Sequence, residues 1–186
     1  MNKRAKIILD FWFIESKPED WFKKNKKFDN IIKELFINDY EKAIKNEYDE
    51  WQDNPNECLA LIILLDQFSR NLFRNSSRSF AQDHKSRLIV KEGVDRGYLE
   101  KMSLERIHFF LLPLIHSEDI SDHKFGHNLV DTYLKKHKKY NEIKKVWNDH
   151  SIAIKKFGRY PHRNKLLRRI STSDEENFLK LPDSSW

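Results

Sequence analysis

The sequence contains little cysteine, glycine or proline. It has one cysteine, and because a disulfide framework needs pairs, a disulfide-stapled secreted module is excluded. Its four glycines and five prolines are under half the usual combined share of about 12%. This scarcity excludes collagen-like and Gly/Pro-rich disordered chains, and it argues against a fold with many tight turns.

A long hydrophobic run is also missing. No stretch of about 18 or more apolar residues is present, so we expect no membrane span. The basic start (residues 1–4) and the largely apolar segment 7–14 have the order found in a signal peptide. However, Asp10 interrupts the run and no small-residue cleavage site follows it. We therefore expect a cytoplasmic protein whose single thiol, Cys58, lies in an apolar run and is inert.

Charge and aromatic side chains are abundant instead. The 186 residues include 35 basic and 29 acidic side chains, for a net charge of +6, which favours anionic partners. The excess is mostly lysine, in runs at 23–27 and 135–139. Such runs are more often solvated helix faces than binding patches, so we do not expect nucleic acid to be the main partner. The length favours one domain, residues 1–186, with a single core.

Apolar residues recur at helical spacing nearly throughout the chain. Segment 28–36 has them at intervals of three and four, which predicts an amphipathic helix. Segment 58–65 is apolar on every side, which predicts the central buried helix. No alternating strand pattern of useful length is present. The predicted fold class is all-α, an irregular bundle or solenoid of helix pairs joined by short links.

Several helix boundaries follow from single residues. Pro113 is expected to bend or end one helix, and Gly158 to end another. Pro161 is expected to begin a short basic helix that continues through residue 167. Ser173, with Glu176 three residues later, has the pattern of a capping box that begins the last helix.

The central helix carries a group of polar residues on one side. At about 100° per residue, one arc contains Asp66, Gln67, Arg70, Asn71 and Arg74. Asp66 and Arg70 are spaced to form an ion pair. One interpretation is structural, in which these side chains join the helix to neighbouring loops. In the other, Arg70 and Arg74 present guanidinium groups to a carboxylate or phosphate ligand.

A basic turn at residues 157–164 is the second candidate. Arg159, His162 and Arg163 surround Pro161, where a helix N-terminus already carries positive partial charge. Backbone N–H groups at such an end bind anions, and Asn164 completes the ligand-binding set. The compensating anion is either a carboxylate of this chain or an external ligand.

The third candidate is the segment 116–119. Ser117 as a helix cap, followed by Glu118 and Asp119 in the first turn, is a complete structural explanation for three of its residues. His116 lies outside that explanation, and beside Glu118 it has the chemistry of a general acid or base. A single histidine is more often structural. His116 and His162 are therefore candidate catalytic residues only, and whether the protein is an enzyme is left open.

No metal or cofactor is expected. His123 and His127 are spaced to lie on one helix face, but no HExxH pattern or set of regularly spaced acidic ligands accompanies them. The chain also has no GxGxxG, P-loop or GxSxG motif, which removes the main support for dinucleotide, nucleotide and hydrolase sites.

Three segments together resemble the signature of the uncharacterised family called domain of unknown function 924. They are Leu-Asp-Gln-Phe-Ser-Arg-Asn-Leu-Phe-Arg at 65–74, His-Ser-Glu-Asp at 116–119 and Phe-Gly-Arg-Tyr-Pro-His-Arg-Asn at 157–164. Segments 8–13, 78–83 and 178–186 fit the same pattern, so the resemblance covers nearly the whole chain. It implies an all-helical fold with a tetratricopeptide-like arrangement, and it implies no reaction, cofactor or catalytic residue. This chain has Ser69 where the family usually has proline, and Tyr160 where it usually has phenylalanine.

The sequence thus predicts that three polar segments meet in a pocket between helices and bind a small anionic ligand, a phosphate or carboxylate. Residues Asp66, Gln67, Arg70, Asn71, Arg74, Glu118, Arg159, Arg163 and Asn164 would contact the ligand. The alternative is a helical module that binds a protein or peptide, in which the polar segments are purely structural. A second alternative is an RNA-associated basic protein.

Overall fold

The chain is helical in a computed structural model that describes residues 1–182, 184 and 185. Within these residues no strand is formed, so the predicted all-α fold class is confirmed. None of the helices in the described ranges has the length and hydrophobicity that a membrane span requires. The chain divides into two compact units, Met1–Phe110 and Leu111–Trp186.

Six helices lie wholly in the first unit, and a seventh crosses its boundary. The helices are α1 (Lys3–Asp10), α2 (Pro18–Phe22), α3 (Lys26–Ile44), α4 (Pro55–Ile62), α5 (Ser69–Leu72), α6 (Asp83–Asp95) and α7 (Leu104–Ile115). Two π-helical segments extend helices, Phe11–Glu15 after α1 and Ile63–Phe68 between α4 and α5. Single 3₁₀ turns occupy Asp49–Asp53, Ser77–Phe80 and Tyr98–Lys101.

The central buried helix forms where it was predicted. Asn54 caps α4, since its side-chain oxygen accepts from the N–H groups of Asn56 (3.0 Å) and Glu57 (3.3 Å), and Pro55 occupies the first position. Every residue of 58–69 is buried. With Ser69 in place of proline, the helix continues through its π-helical segment into α5.

Aromatic side chains fill the core of the first unit. The ring of Phe11 lies 5.7 Å from that of Phe28 and 5.0 Å from that of Phe36. Phe68, from the central helix, contacts Phe36 at 4.9 Å and Trp12 at 5.5 Å. These rings pack α3 and the π-helical segment after α1 against the central helix, and ring pairs at such distances add about 0.5–1.5 kcal/mol each beyond area burial.

The second unit contains α8 (Ile120–Tyr133), α9 (Tyr140–Phe157) and α10 (Ser173–Phe178). Helices α8 and α9 approach closely at Gly126, where an added Cβ would fall 2.1 Å from a ring carbon of Trp147. Gly158 ends α9 in the left-handed conformation (φ +67°), as predicted. A small apolar cluster around Tyr160 and Phe178 connects the turn after α9 to α10.

Two helix starts differ from the sequence prediction. Pro113 lies inside α7, which ends two residues later at Ile115, and a bend at Pro113 stays a prediction. Pro161 begins only one 3₁₀ turn, Pro161–Arg163, and turns follow it up to Arg168, which adopts a left-handed conformation (φ +55°). The capping box before α10 is formed by Thr172 and Glu175, one residue earlier than predicted.

Helix α8 also begins differently from expectation. Asp119 is its cap, accepting from the Ser121 N–H at 2.8 Å, and the helix begins at Ile120. Ser117 instead accepts from the Asp119 N–H (3.0 Å) and donates to Asp122 (2.6 Å). Its hydroxyl therefore orders the turn before the helix.

Candidate functional site

The polar residues of the central helix lie in the first unit, where their arginines form ion pairs with carboxylates of the same chain. Asp66 is fully buried, 3.3 Å from the Arg70 guanidinium, as the predicted pair requires. Arg70 also donates to both carboxylate oxygens of Asp83, at 3.0 and 3.1 Å. Gln67 donates to Asp66 at 2.5 Å. This half of the arc joins the central helix to the start of α6.

The other half of the arc binds a different carboxylate. Arg74 donates twice to Asp29 of α3, both at 2.7 Å, and Asn71 donates to the same carboxylate at 2.8 Å. The hydrogen bond to Asp29 raises the pKa of the Arg74 guanidinium. These contacts join α3 to α5. The five predicted residues are thus divided between two carboxylate clusters, an arrangement that fits the structural interpretation of this segment.

In the second unit, Glu118 connects the segment 116–119 to the chain that follows α9. Its carboxylate accepts from the Tyr160 N–H at 2.8 Å and from two nitrogens of Arg169, at 2.6 and 2.9 Å. Burial would raise the pKa of Glu118, but the hydrogen bonds from Arg169 and Tyr160 outweigh it and the pKa is lowered. Glu118 is therefore held as a carboxylate.

A second carboxylate in this unit holds the other end of the same stretch. Arg159 donates to the two oxygens of Glu175 at 2.6 and 2.8 Å, and Asn164 lies 3.3 Å from that carboxylate. The hydrogen bond from Arg159 is the largest influence lowering the pKa of Glu175, to about 2. Carboxylates of this chain thus form ion pairs with Arg159 and Arg169. For these two arginines, the arrangement fits the interpretation in which the compensating anion belongs to the chain itself.

Tyr160 is the fully buried centre of the basic turn. Its hydroxyl donates to the Ile115 carbonyl, a bond that the family's usual phenylalanine lacks. The Arg163 guanidinium lies 4.5 Å above its ring, and the His162 ring lies 5.3 Å away. Arg163 and Asn164 are buried, whereas His162 and the other candidate catalytic residue, His116, are half-buried.

Ser151 and His123 have the contact distance of a nucleophile and its base. His123 Nδ1 lies 2.9 Å from Ser151 Oγ, and His127 Nε2 lies 3.0 Å from the same oxygen. Both Ser151 and His123 are fully buried, and the contact between them joins α8 to α9. Within the described residues, no three or more histidine, cysteine or acidic side chains form a group suited to a metal ion.

Two clefts lie away from all of the predicted residues. One, of about 520 Å³, lies in the first unit along α6, with Asn46, Gln52 and Lys85 in its wall. The other, of about 260 Å³, lies in the second unit between α9 and residues 178–182. Neither cleft is lined by a residue of the predicted ligand-binding set.

The sequence did not reveal which carboxylates pair with which arginines. Asp29 and Arg74 are 45 residues apart, and Glu118 and Arg169 are 51 apart. No local pattern connects such residues. The helical spacing of His123 and His127 placed them on one helix face, where no metal was expected, and no sequence signal pointed to His150.

The family comparison accounts for the pattern of these segments. A family model described as "Bacterial protein of unknown function (DUF924)" matches residues 8–183. The chain belongs to this family. The structure of this DUF924 chain also resembles that of a protein of unknown function from Agrobacterium tumefaciens. The two chains have 33% sequence identity, and the TM-score is 0.85. That similarity covers 95% of this chain and 97% of the other.

Among curated proteins, none matches this DUF924 chain. The family and the similar structure are both described only as of unknown function, so they bring no substrate to the site. The resemblance stated from the three polar segments is confirmed, whereas the tetratricopeptide-like arrangement stays a prediction.

Proposed function

We propose that the second unit binds a small anionic ligand, a phosphate or carboxylate, at the basic segment 159–169. The observation that carries the proposal is the imbalance of charge there. The segment contains five arginines and lysines, of which Arg159 and Arg169 pair with Glu175 and Glu118. Lys165 and Arg168 are exposed and form no ion pair within the described residues. Cations gathered in one short segment repel one another, and an anion would offset that repulsion.

The residues of the site would have different tasks. Lys165 and Arg168 would supply charge, while Glu118 and Asn164 keep the segment folded through the bonds described above. A ligand contact by Arg163, which is buried, stays a prediction. If a reaction follows binding, His116 or His162 would move the proton. The proposed site is built from the second unit alone, so a ligand contact by Asp66, Gln67, Arg70, Asn71 or Arg74 stays a prediction.

Thermal denaturation in sodium phosphate and in sodium citrate, against sodium chloride of equal ionic strength, tests the proposal. A ligand at 100 times its Kd stabilises by about 2.7 kcal/mol. Arg168→Gln and Lys165→Gln should each raise the Kd by up to about fivefold, because each removes one exposed ionic contact worth up to about 1 kcal/mol. Lys136→Gln, an exposed lysine of the same unit, is the matched control.

Two results would reject this function. One is a shift no larger than that in sodium chloride. The other is an equal response of wild type, Arg168→Gln and Lys165→Gln.

A second candidate, protein binding by the first unit, rests on exposed aliphatic residues. Ile7 of α1 is 47% exposed, and Ile31 and Leu35 of α3 are 43% and 50% exposed. The two helices are adjacent at this point, since Arg4 donates to the Leu35 carbonyl at 2.7 Å. Exposed apolar surface of this kind is typical of interaction sites.

Immobilised wild-type protein and its Leu35→Asp variant would be compared as baits. A partner retained by wild type and lost with Leu35→Asp favours this candidate, provided that Leu88→Asp still retains it. Leu88 has a similar exposed fraction, 49%, on α6. Equal recovery by all three baits would exclude the α1–α3 surface.

A further inference from the structure

Two strongly exposed apolar side chains border the short helix α2. Ile14, near the end of the π-helical segment after α1, is 73% exposed, and Phe22, the last residue of α2, is 65% exposed. The residues beside them hold the two segments together, since the Phe13 and Trp21 rings lie 6.2 Å apart and Trp21 Nε1 donates to the Trp12 carbonyl at 2.9 Å. Ile14 and Phe22 therefore lie on adjoining segments of the first unit.

Phe22 is held in its exposed position by a buried ring. Its ring stacks on that of Phe109, with the centroids 6.1 Å apart and the planes inclined by 10°, and Phe109 is fully buried. Trp21 contacts the Phe109 ring edge-on at 4.8 Å. Apolar burial is favourable in proportion to the area removed from water, so a ring left mostly in water keeps most of that free energy for a binding partner. Because the Phe22 ring is already positioned, contact with a partner costs it little conformational freedom.

Five exposed lysines adjoin these side chains in the sequence: Lys17 before α2, Lys23 and Lys24 after it, and Lys26 and Lys27 at the start of α3. None of the five forms an ion pair within the described part of the chain. Their charge is therefore available to an anionic surface.

The acidic residues of the same stretch cancel only part of this charge. They are Glu15, Glu19 and Asp20, of which Asp20 accepts from the Lys17 N–H at 3.1 Å at the start of α2. Residues 14–27, the α2 surface, thus carry an excess of two positive charges. Exposed apolar side chains bordered by unpaired lysines complement a surface that is negatively charged at its face and apolar beneath.

We propose that the α2 surface binds the face of a bilayer that contains anionic lipids. Phe22 and Ile14 enter the boundary between headgroups and acyl chains, and the lysines lie at the lipid phosphates. Binding of this kind depends on buried apolar area together with attraction to anionic lipid. Single-stranded RNA would use the lysines and stack a base on Phe22, but the aliphatic side chain of Ile14 offers no ring for stacking. Membrane binding here depends neither on the anionic ligand of the second unit nor on the α1–α3 surface.

Co-sedimentation of the full chain with vesicles tests the membrane proposal. Vesicles of phosphatidylcholine with about 30% phosphatidylglycerol should bind the protein at about 0.1 M salt, at least about tenfold more tightly than phosphatidylcholine alone. Lys23→Gln combined with Lys24→Gln should weaken binding about 25-fold, because each lysine near an anionic surface contributes about fivefold. Lys135→Gln combined with Lys136→Gln, the matched change in the other exposed lysine run, should weaken it by less than about fivefold.

Insertion of Phe22 is tested separately from charge. Phe22→Ser should weaken vesicle binding about tenfold, because the exposed part of the ring no longer leaves water on binding. Leu88→Ser, at the exposed Leu88 of α6, is the matched control and should leave binding unchanged. Lipids with brominated acyl chains should quench the fluorescence of Phe22→Trp more than that of wild type, and Leu88→Trp should show no added quenching. This readout serves if Phe22→Ser does not fold.

Three results would overturn the proposal. They are equal binding, or none, with the two kinds of vesicle; an equal loss with the two lysine pairs; and wild-type binding by Phe22→Ser without added quenching of Phe22→Trp. A single-stranded oligoribonucleotide that binds at the same salt and is weakened by Phe22→Ser, in the absence of vesicle binding, would assign the α2 surface to RNA and reject the membrane.

Discussion

At the scale of single residues, Glu118 joins the turn before α8 to the chain that follows α9. One carboxylate accepts from the Tyr160 N–H and from two nitrogens of Arg169. Glu118 and Arg169 both have about a quarter of the side chain exposed, at 28% and 24%. Each partner would be left incompletely solvated without the other, so the cost of removing one exceeds that of breaking a surface pair.

Glu118→Gln should lower the free energy of unfolding by about 1.5–3 kcal/mol at pH 7, the range for hydrogen bonds to charged groups. Because the pKa of Glu118 is lowered on folding, the stability it contributes is present above its ordinary value of 4.5 and is lost as the pH falls below that value. Urea denaturation at pH 7 and pH 4 should show the variant approaching wild type at the lower pH. Glu176→Gln, at an exposed site, should change neither value by more than about 0.5 kcal/mol.

The contact between Gly126 and Trp147 is also decided by one residue. Gly126→Ala should destabilise by about 1–3 kcal/mol or more, because the new Cβ meets the Trp147 ring at 2.1 Å and that ring is fully buried. Gly158→Asn is the matched change, since no atom lies within 4 Å of its Cβ position and asparagine tolerates the left-handed conformation. Thermal unfolding of both variants checks this, and an equal effect would show that packing does not dominate at Gly126.

At the scale of elements, helix ends depend on which of two similar side chains takes the cap. Thr172 accepts from the Glu175 N–H at 3.2 Å, and the Glu175 carboxylate accepts from the Thr172 N–H at 2.8 Å. The neighbouring Ser173 has the same hydroxyl and the same spacing to Glu176. Glu175 is buried and pairs with Arg159, whereas Glu176 is exposed, so the ion pair favours the register that begins at Thr172.

Thr172→Ala should therefore cost about 1 kcal/mol of stability, as expected for loss of a helix cap. Ser173→Ala, at the first position inside α10, should change stability by no more than about 0.5 kcal/mol. Chemical denaturation of the pair distinguishes the two registers. The opposite order of effects would place the cap at Ser173.

At the scale of the whole molecule, the excess of positive charge governs contact with polyanions. The lysine runs at 23–27 and 135–139 are exposed, and their lysines form no ion pair within the described part of the chain. Exposed charges of this kind attract a phosphate backbone without reading its sequence. RNA association through them would be electrostatic and weak at physiological salt.

We expect any retardation of RNA in a gel at about 50 mM salt to vanish by about 200 mM, because each phosphate contact releases counterions on binding. Lys23→Glu combined with Lys24→Glu should abolish it at the lower concentration. A shift that survives at about 200 mM salt would contradict this expectation and favour a specific RNA site.

The sequence by itself determined the features that depend on short-range rules. Helical periodicity gives the all-α class and the buried helix at 58–65, and Gly158 ends α9 because few residues other than glycine adopt its conformation cheaply. Chemistry alone does not separate Thr172 from Ser173, or a helix from a single turn after Pro161, since both choices satisfy the same local rules.

Only the tertiary structure decided how the predicted polar residues are used. Arg74 meets Asp29 across 45 residues, and Arg159 meets Glu175 across 16, so the charges that looked available to a ligand are partly taken by the chain itself. Tyr160 acquires its histidine neighbours in the same way. A local pattern states which side chains are charged, but which charges are neutralised depends on distances that exist only after the helices have packed.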